Sequence, residues 1–171
     1  MTDFKIRLSG VKDENHEYFF DIDSKFFETF KHSEVTNCLI KTIVGYKKDR
    51  NNIKITLDFK GEIYNLLCDL CADEITISID NSISVILHET EEELEHTDEI
   101  IYIKPNQHEL DISQLIFEGI VLHIPFKREH SGDQNDSCEK EMMVLMEKYT
   151  EKKDKKNDPR WEELNKLKDL I

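Results

Sequence analysis

Apolar and polar residues alternate through the first two thirds of the chain, and a longer period replaces that alternation afterwards. "FKIRL" sets Phe4, Ile6 and Leu8 on one face and Lys5 and Arg7 on the other, the period of a strand. "HEYFFDID" predicts a second strand. Asp23 or Ser24 then caps a short helix, "SKFFETF", with Phe26, Phe27 and Phe30 on one side. "CLIKTIVGY" and "IKITLDF" flank the polar turn "DRNN" and predict an antiparallel hairpin. "EIYNLLC" leads into a Cys-x-x-Cys pair. "ITISID" and "ISVILHE" are expected as two strands around a turn at "NS", and "IIYIKP" as one more strand that Pro105 ends.

The period then changes. "DISQLIFEGIVLHI" carries Ile112, Leu115, Ile116 and Ile120 at helical spacing, with Asp111 as the expected N-cap and Pro125 beyond the end. "CEKEMMVLMEKYTEKK" predicts an amphipathic helix with Met142, Leu145, Met146 and Tyr149 on one face. "DPRWEELNKLKDLI" has Asp158 at the cap and Pro159 at the first helical position. The fold class expected is α+β: an antiparallel β-rich body of about six or seven strands with a helical C-terminal third. The body is expected over 1–130, with one buried helix. The segment 131–171 is expected as helical, packed on the body or extending from it.

Charge adds a constraint. The 171 residues carry a formal net charge of −14, and between Gly61 and Ile103 there is no Lys or Arg against 12 Asp or Glu. Such a chain is repelled by bare nucleic acid and anionic lipid unless a local basic patch overrides the total. The acid loop "EEELEHTDE", with Glu91, Glu92, Glu93 and Glu95, reads as a solvated face or as a landing surface for a basic protein. It lacks the spaced ligands and turning Gly of an EF-hand loop. Two basic runs stand out, "YKKDRNN" (Lys47, Lys48, Arg50) and "KKDKK". They read as solvated turns, or as RNA contacts if they meet an aromatic such as Tyr46 or Trp161.

No segment approaches the length of a membrane span. The opening "MTDFKIRLSG" has no apolar run of an export signal, so the four cysteines are expected in a reducing, cytoplasmic setting. There, Cys68 and Cys71 become candidate metal ligands, because a two-residue gap lets both thiolates face one ion. Two more ligands are needed. Cys38, beside Leu39 and Ile40, reads as core. His130 and Cys138 flank the loop "SGDQNDS" and complete a Cys3His set for zinc, although the His-x7-Cys gap exceeds standard spacings. Free thiols remain the alternative. A redox role is disfavoured: a strand follows the pair, and Asp69, Asp73 and Glu74 are expected to raise the thiol pKa. No Gly-rich phosphate loop, G-x-S-x-G or H-E-x-x-H occurs, the other histidines are scattered, and no enzyme is expected.

Taken in order, "IRLSGVKDENHEYFFDID", the hairpin, "GEIYNLLCDLCADEITI", "IYI" and "DISQLIFEGIVLHIPFKREH" resemble the bacterial YceD family of large ribosomal RNA subunit accumulation proteins. The resemblance runs from about Ile6 to Leu167. Its most specific parts are the C-D-x-C motif and the block of Asp111, Glu118, Leu122 and Pro125. "DPRWEELNKLK" also fits, and the His130–Cys138 loop resembles Bacteroidota-type members. The resemblance implies a cytoplasmic, non-enzymatic role in large-subunit ribosomal RNA accumulation and ribosome assembly. Some members carry a second C-x-x-C near the C-terminus, which makes a four-cysteine zinc site plausible for the family; this chain lacks that pair and offers only His130 and Cys138. The acidic body, with its base-free run, suits a precursor particle or a basic ribosomal protein as partner better than bare RNA. Two rival readings stay open: a metal-dependent RNA-processing enzyme built on carboxylates, and a zinc-stabilised interaction module with no ribosomal role.

Overall fold

The computed structural model describes residues 4–8, 16–31, 33–49, 52–92, 94, 95, 97, 99–130, 138 and 140–149. Among these residues seven strands and three helices follow one another: β1 (Lys5–Arg7), β2 (His16–Ile22), α1 (Ser24–Phe27), β3 (Asn37–Asp49), β4 (Asn52–Leu67), β5 (Glu74–Glu89), β6 (Ile100–Ile103), β7 (Glu109–Asp111), α2 (Ser113–Val121) and α3 (Lys140–Tyr149). A five-stranded sheet has the order β2-β3-β4-β5-β6, and β1 pairs with β7 in a separate two-stranded sheet. The chain is strand-rich and mostly antiparallel, as the alternation predicts. The helices are few and short, so a helical C-terminal third is not what the described residues form. The helix expected from Asp158 lies outside them.

One face of the large sheet carries the core. Along β3 and β4 every second residue turns inward: Cys38, Ile40, Thr42, Val44 and Tyr46, then Ile53, Ile55, Leu57 and Phe59. α2 lies across β4 and β5 and buries Ile116, Gly119 and Ile120. Phe26 and Phe27 from α1 are buried nearby, and Phe30 stacks on Phe117 of α2 with centroids 4.2 Å apart. Asp23 caps α1 through the Lys25 N–H, one of the two residues the sequence offered.

Several expectations are corrected. "ITISID" and "ISVILHE" form one continuous strand, not a hairpin. Asp80, Asn81 and Ser82 pair with Lys60, Phe59 and Asp58, so β4 supplies the partner that a turn would have removed. Asn81 donates its amide to the Gly119 carbonyl (3.2 Å) and fastens α2 to the sheet. β6 runs parallel to β5, where an antiparallel strand was expected. β1 joins β7, more than a hundred residues away, and not the body sheet. Asp111 ends β7, and the first residue before α2 is Ile112. Asp111 still accepts the Ser113 N–H (2.9 Å), so it serves the helix from one position upstream. On α3, Met142 packs against the core, whereas Leu145, Met146 and Tyr149 are exposed.

One irregularity positions the site. Between Ile63 and Leu66 the β4–β5 register slips by a residue, and Asn65 takes a φ of 60°. Such a bulge re-aims the side chains after it. Inward positions are odd-numbered up to Ile63 and even-numbered afterwards: Leu66 and Cys68 are buried, and Leu67 is exposed. Asn is among the few non-Gly residues that adopt this left-handed backbone readily. Asn65→Val should therefore cost about 1–2 kcal/mol and mis-aim Cys68, whereas Asn65→Gly should be nearly neutral. Urea unfolding of both variants checks this.

Candidate metal centre

The connection from β4 to β5 is a tight turn built on the Cys-x-x-Cys pair. The Cys68 N–H donates to the Asp73 carbonyl (2.8 Å) and the Ala72 N–H to the Cys68 carbonyl (3.0 Å). Ala72 takes a φ of 61°, which returns the chain into β5. Backbone N–H groups converge on the Cys68 sulfur, among them that of Leu70 at 3.4 Å. The pair sits in a hairpin turn, as its strand context predicts, and Cys68 and Cys71 are both buried.

The segment after α2 docks on this turn. The Asp69 N–H donates to the Arg128 carbonyl, and the Arg128 N–H to Asp69 Oδ2, both at 2.7 Å. The Arg128 guanidinium reaches Asp69 Oδ1 at 3.6 Å and Glu34 at 2.8 Å. A charged clamp thus holds residues 128–130 beside the pair, and it carries His130 to the site. Sequence reasoning missed Asp69 and Arg128 as organisers. The signal for Asp69 was its place inside the C-D-x-C motif.

Cys68, Cys71, His130 and Cys138 each offer one ligand atom, and these atoms all lie within 4.8 Å of one another. The Cys68 and Cys138 sulfurs are 3.8 Å apart. A zinc tetrahedron with Zn–S bonds of about 2.3 Å has sulfur–sulfur edges of about 3.8 Å. The donor set and its spacing fit zinc. All four sequence candidates are brought together. Cys38 is apart from them in the core, where burial and then Asp23 push its thiol up to about 11.

The electrostatics of the pair differ from expectation at Cys68 and agree with it at Cys71, where the Asp73 side chain adds to the rise. Burial opposes ionisation of Cys68, but N–H groups of Cys71, Leu70 and His130 and the Cys71 thiol bring it down to about 7. Asp69 does not raise it, because its carboxylate is turned to Arg128. Cys71 is pushed up to about 12, by burial first and by hydrogen bonds with Cys68, Asp73 and Cys138. The two thiols act as one titrating unit that favours a single shared proton. A bound metal displaces that proton.

The other candidates divide. Glu91, Glu92 and Glu95 are exposed in the β5–β6 connection, and Glu93 lies outside the described residues. Lys47 and Lys48 are exposed near the β3–β4 turn, and Arg50 lies outside. Tyr46 is 1% exposed and has no face for a base. Trp161 and "KKDKK" lie outside. Among the described residues no three carboxylates converge as the Cys and His ligands do. No helix among them is long and apolar enough to cross a membrane.

No curated protein and no solved structure matches the chain. Residues 56–168 match the family model described as "Large ribosomal RNA subunit accumulation protein YceD". The match begins within β4, later than the resemblance suggested, and includes all four candidate ligands. Since it covers well over half of the sequence, the chain belongs to the YceD family.

Proposed function

We propose that the protein is a non-enzymatic factor that supports accumulation of large-subunit ribosomal RNA during ribosome assembly in the cytoplasm. The family description carries this reading. Zinc on Cys68, Cys71, His130 and Cys138 is a structural bolt between the β4–β5 turn and the segment after α2. Three sulfurs and an imidazole leave no open position for substrate, which is the pattern of structural zinc.

The docking surface is the acidic β5–β6 connection, with Glu91, Glu92, Glu93 and Glu95. Its partner is a basic ribosomal protein, free or on a precursor particle. The support is the run from Gly61 to Ile103 without a Lys or Arg, since complementary charge steers association. A metal-dependent RNA-processing enzyme fits less well, because the described carboxylates do not converge. Sucrose-gradient profiles should show fewer large subunits in cells depleted of the protein. An unchanged profile would overturn the assembly reading. A pull-down should enrich a basic ribosomal protein, and recovery of RNA alone would overturn the docking surface.

A further inference from the structure

The face of the large sheet turned away from α2 has one corner unlike the rest of this acidic molecule. Lys47 of β3 and Lys54 of β4 stand directly opposite each other there. Like charges in that relation repel. Both lysines are exposed, and among the described residues neither has an ion-pair partner. A second opposed pair, Lys41 and Lys60, lies six residues further along β3. There Lys60 is compensated by Asp80 at 3.3 Å. Among the described side chains the first pair has no such partner, and Asp49 follows Lys47 by two residues on β3.

The surroundings are not those of a merely solvated turn. The row of Lys47 and Lys54 continues into Ile86, which is 39% exposed, and Ile100. The next row toward the strand ends is Asp49, Asn52, His88 and Tyr102, so an acid of β3 stands at the end of the row. His88 bonds to Asn52 (3.3 Å) and meets the Tyr102 ring edge-on, with centroids 6.1 Å apart. On the other side, Gly45, Thr56 and Ser84 form a row of small side chains. Lys54 is therefore a diagonal neighbour of His88 on the adjacent strand, Lys47 lies one strand further from it, and Tyr102 lies beyond His88 on β6. Diagonal neighbours across strands are about 7–8 Å apart. The row with the cations and the row with the rings run side by side across the sheet, which suits a strand that presents phosphates along one side and bases along the other.

We propose that this corner binds a single-stranded segment of RNA. The Lys47 and Lys54 ammonium groups take neighbouring phosphates, and an unpaired base lies against the Tyr102 and His88 rings. An acidic peptide would satisfy the lysines but leave the rings unused. A duplex would offer phosphates but no free base face. A local basic patch of this kind overrides a net negative charge at short range, because salt screens the more distant acids. The inference rests on the ribosomal reading for the identity of the natural strand, and it adds a direct RNA contact to it.

The test is fluorescence anisotropy of the full chain with a labelled single-stranded RNA oligonucleotide of mixed sequence. The same sequence as a duplex and a polyglutamate peptide serve as competitors. Wild-type protein should prefer the single strand, and binding should weaken with salt. Lys47→Ala/Lys54→Ala should reduce the slope of log affinity against log salt by about 1.4, which is about 0.7 for each lost phosphate contact. Tyr102→Ala should weaken binding about tenfold and Tyr102→Phe much less, since a stacked ring and not a hydroxyl is used. Circular dichroism shows that each variant is folded. No salt-sensitive binding by the wild type, an unchanged slope in the double variant, or equal competition by duplex or polyglutamate would overturn the proposal. Failure of the ribosomal reading looks different: the gradient profile is normal in depleted cells while the oligonucleotide still binds.

Discussion

The protein should purify with about one zinc ion per chain, and Cys68→Ser should remove that ion and lower the melting temperature by about 10 °C. The magnitude follows from two steps. A metal held at a thousandfold excess over its dissociation constant stabilises by about 4 kcal/mol. For a chain of this size, each kcal/mol moves the midpoint by about 2–4 °C. The sheet has its own core, so the protein should stay folded while Arg128, His130 and Cys138 come loose from the β4–β5 turn. Chelator treatment of the wild type should reproduce both effects. Cys38→Ser is the control, since Cys38 lies apart from the cluster in the core and should leave zinc content unchanged. Elemental analysis and scanning calorimetry read the outcome. Equal zinc in Cys68→Ser and wild type would exclude the site.

Gly61→Ala should be the most damaging single methyl group in the sheet. A Cβ at Gly61 would stand 2.1 Å from the Leu39 carbonyl oxygen and 2.6 Å from the Ile40 Cα. Both are backbone atoms of the neighbouring strand, so no side chain can rotate away. β3 and β4 must separate at the centre of the sheet, opposite Ile40 and Ile79, which are both buried. Overpacking of a core ordinarily costs about 1–3 kcal/mol, and a rigid backbone clash belongs above that range, at about 4 kcal/mol or more. Soluble expression and urea midpoint report it. Gly45→Ala is the matched control, because its nearest backbone atom is 3.8 Å away. Equal midpoints for the two variants would show that the strands do not approach so closely.

Local signals in the sequence were enough where neighbours in the chain decide the structure. The alternation placed Ile53, Ile55, Leu57 and Phe59 on one buried face, and a Cys in an apolar run placed Cys38 in the core. The four candidate ligands were legible by chemistry, because a Cys-x-x-Cys pair invites a search for further thiols and imidazoles to complete a set. What was not legible is non-local. Asn81-Ser82 reads as a turn until β4 is known to lie beside it. Lys5 carries no mark of its partner Asp111. The parallel course of β6 depends on how the acidic connection folds back. Arg128 and Asp69 look like ordinary surface charges until the α2 exit meets the turn. The bulge at Asn65 did leave a trace, the shift of buried positions from odd to even. It passes unnoticed unless the phase is followed through the whole strand.

The ligand order also has a consequence in time. Cys68 and Cys71 leave the translating ribosome first, and Cys138 follows 67 residues after Cys71. At about 5–20 residues per second, a nascent chain carries two thiols without their partners for about 3–13 s. During that interval the two-thiol half-site holds an ion only loosely, and oxidants or foreign metals can reach it. Tight metal capture must wait for α2 to pack and for Arg128 to find Asp69. A filled site would therefore be a record of completed folding, and chains that stall before His130 would emerge without metal.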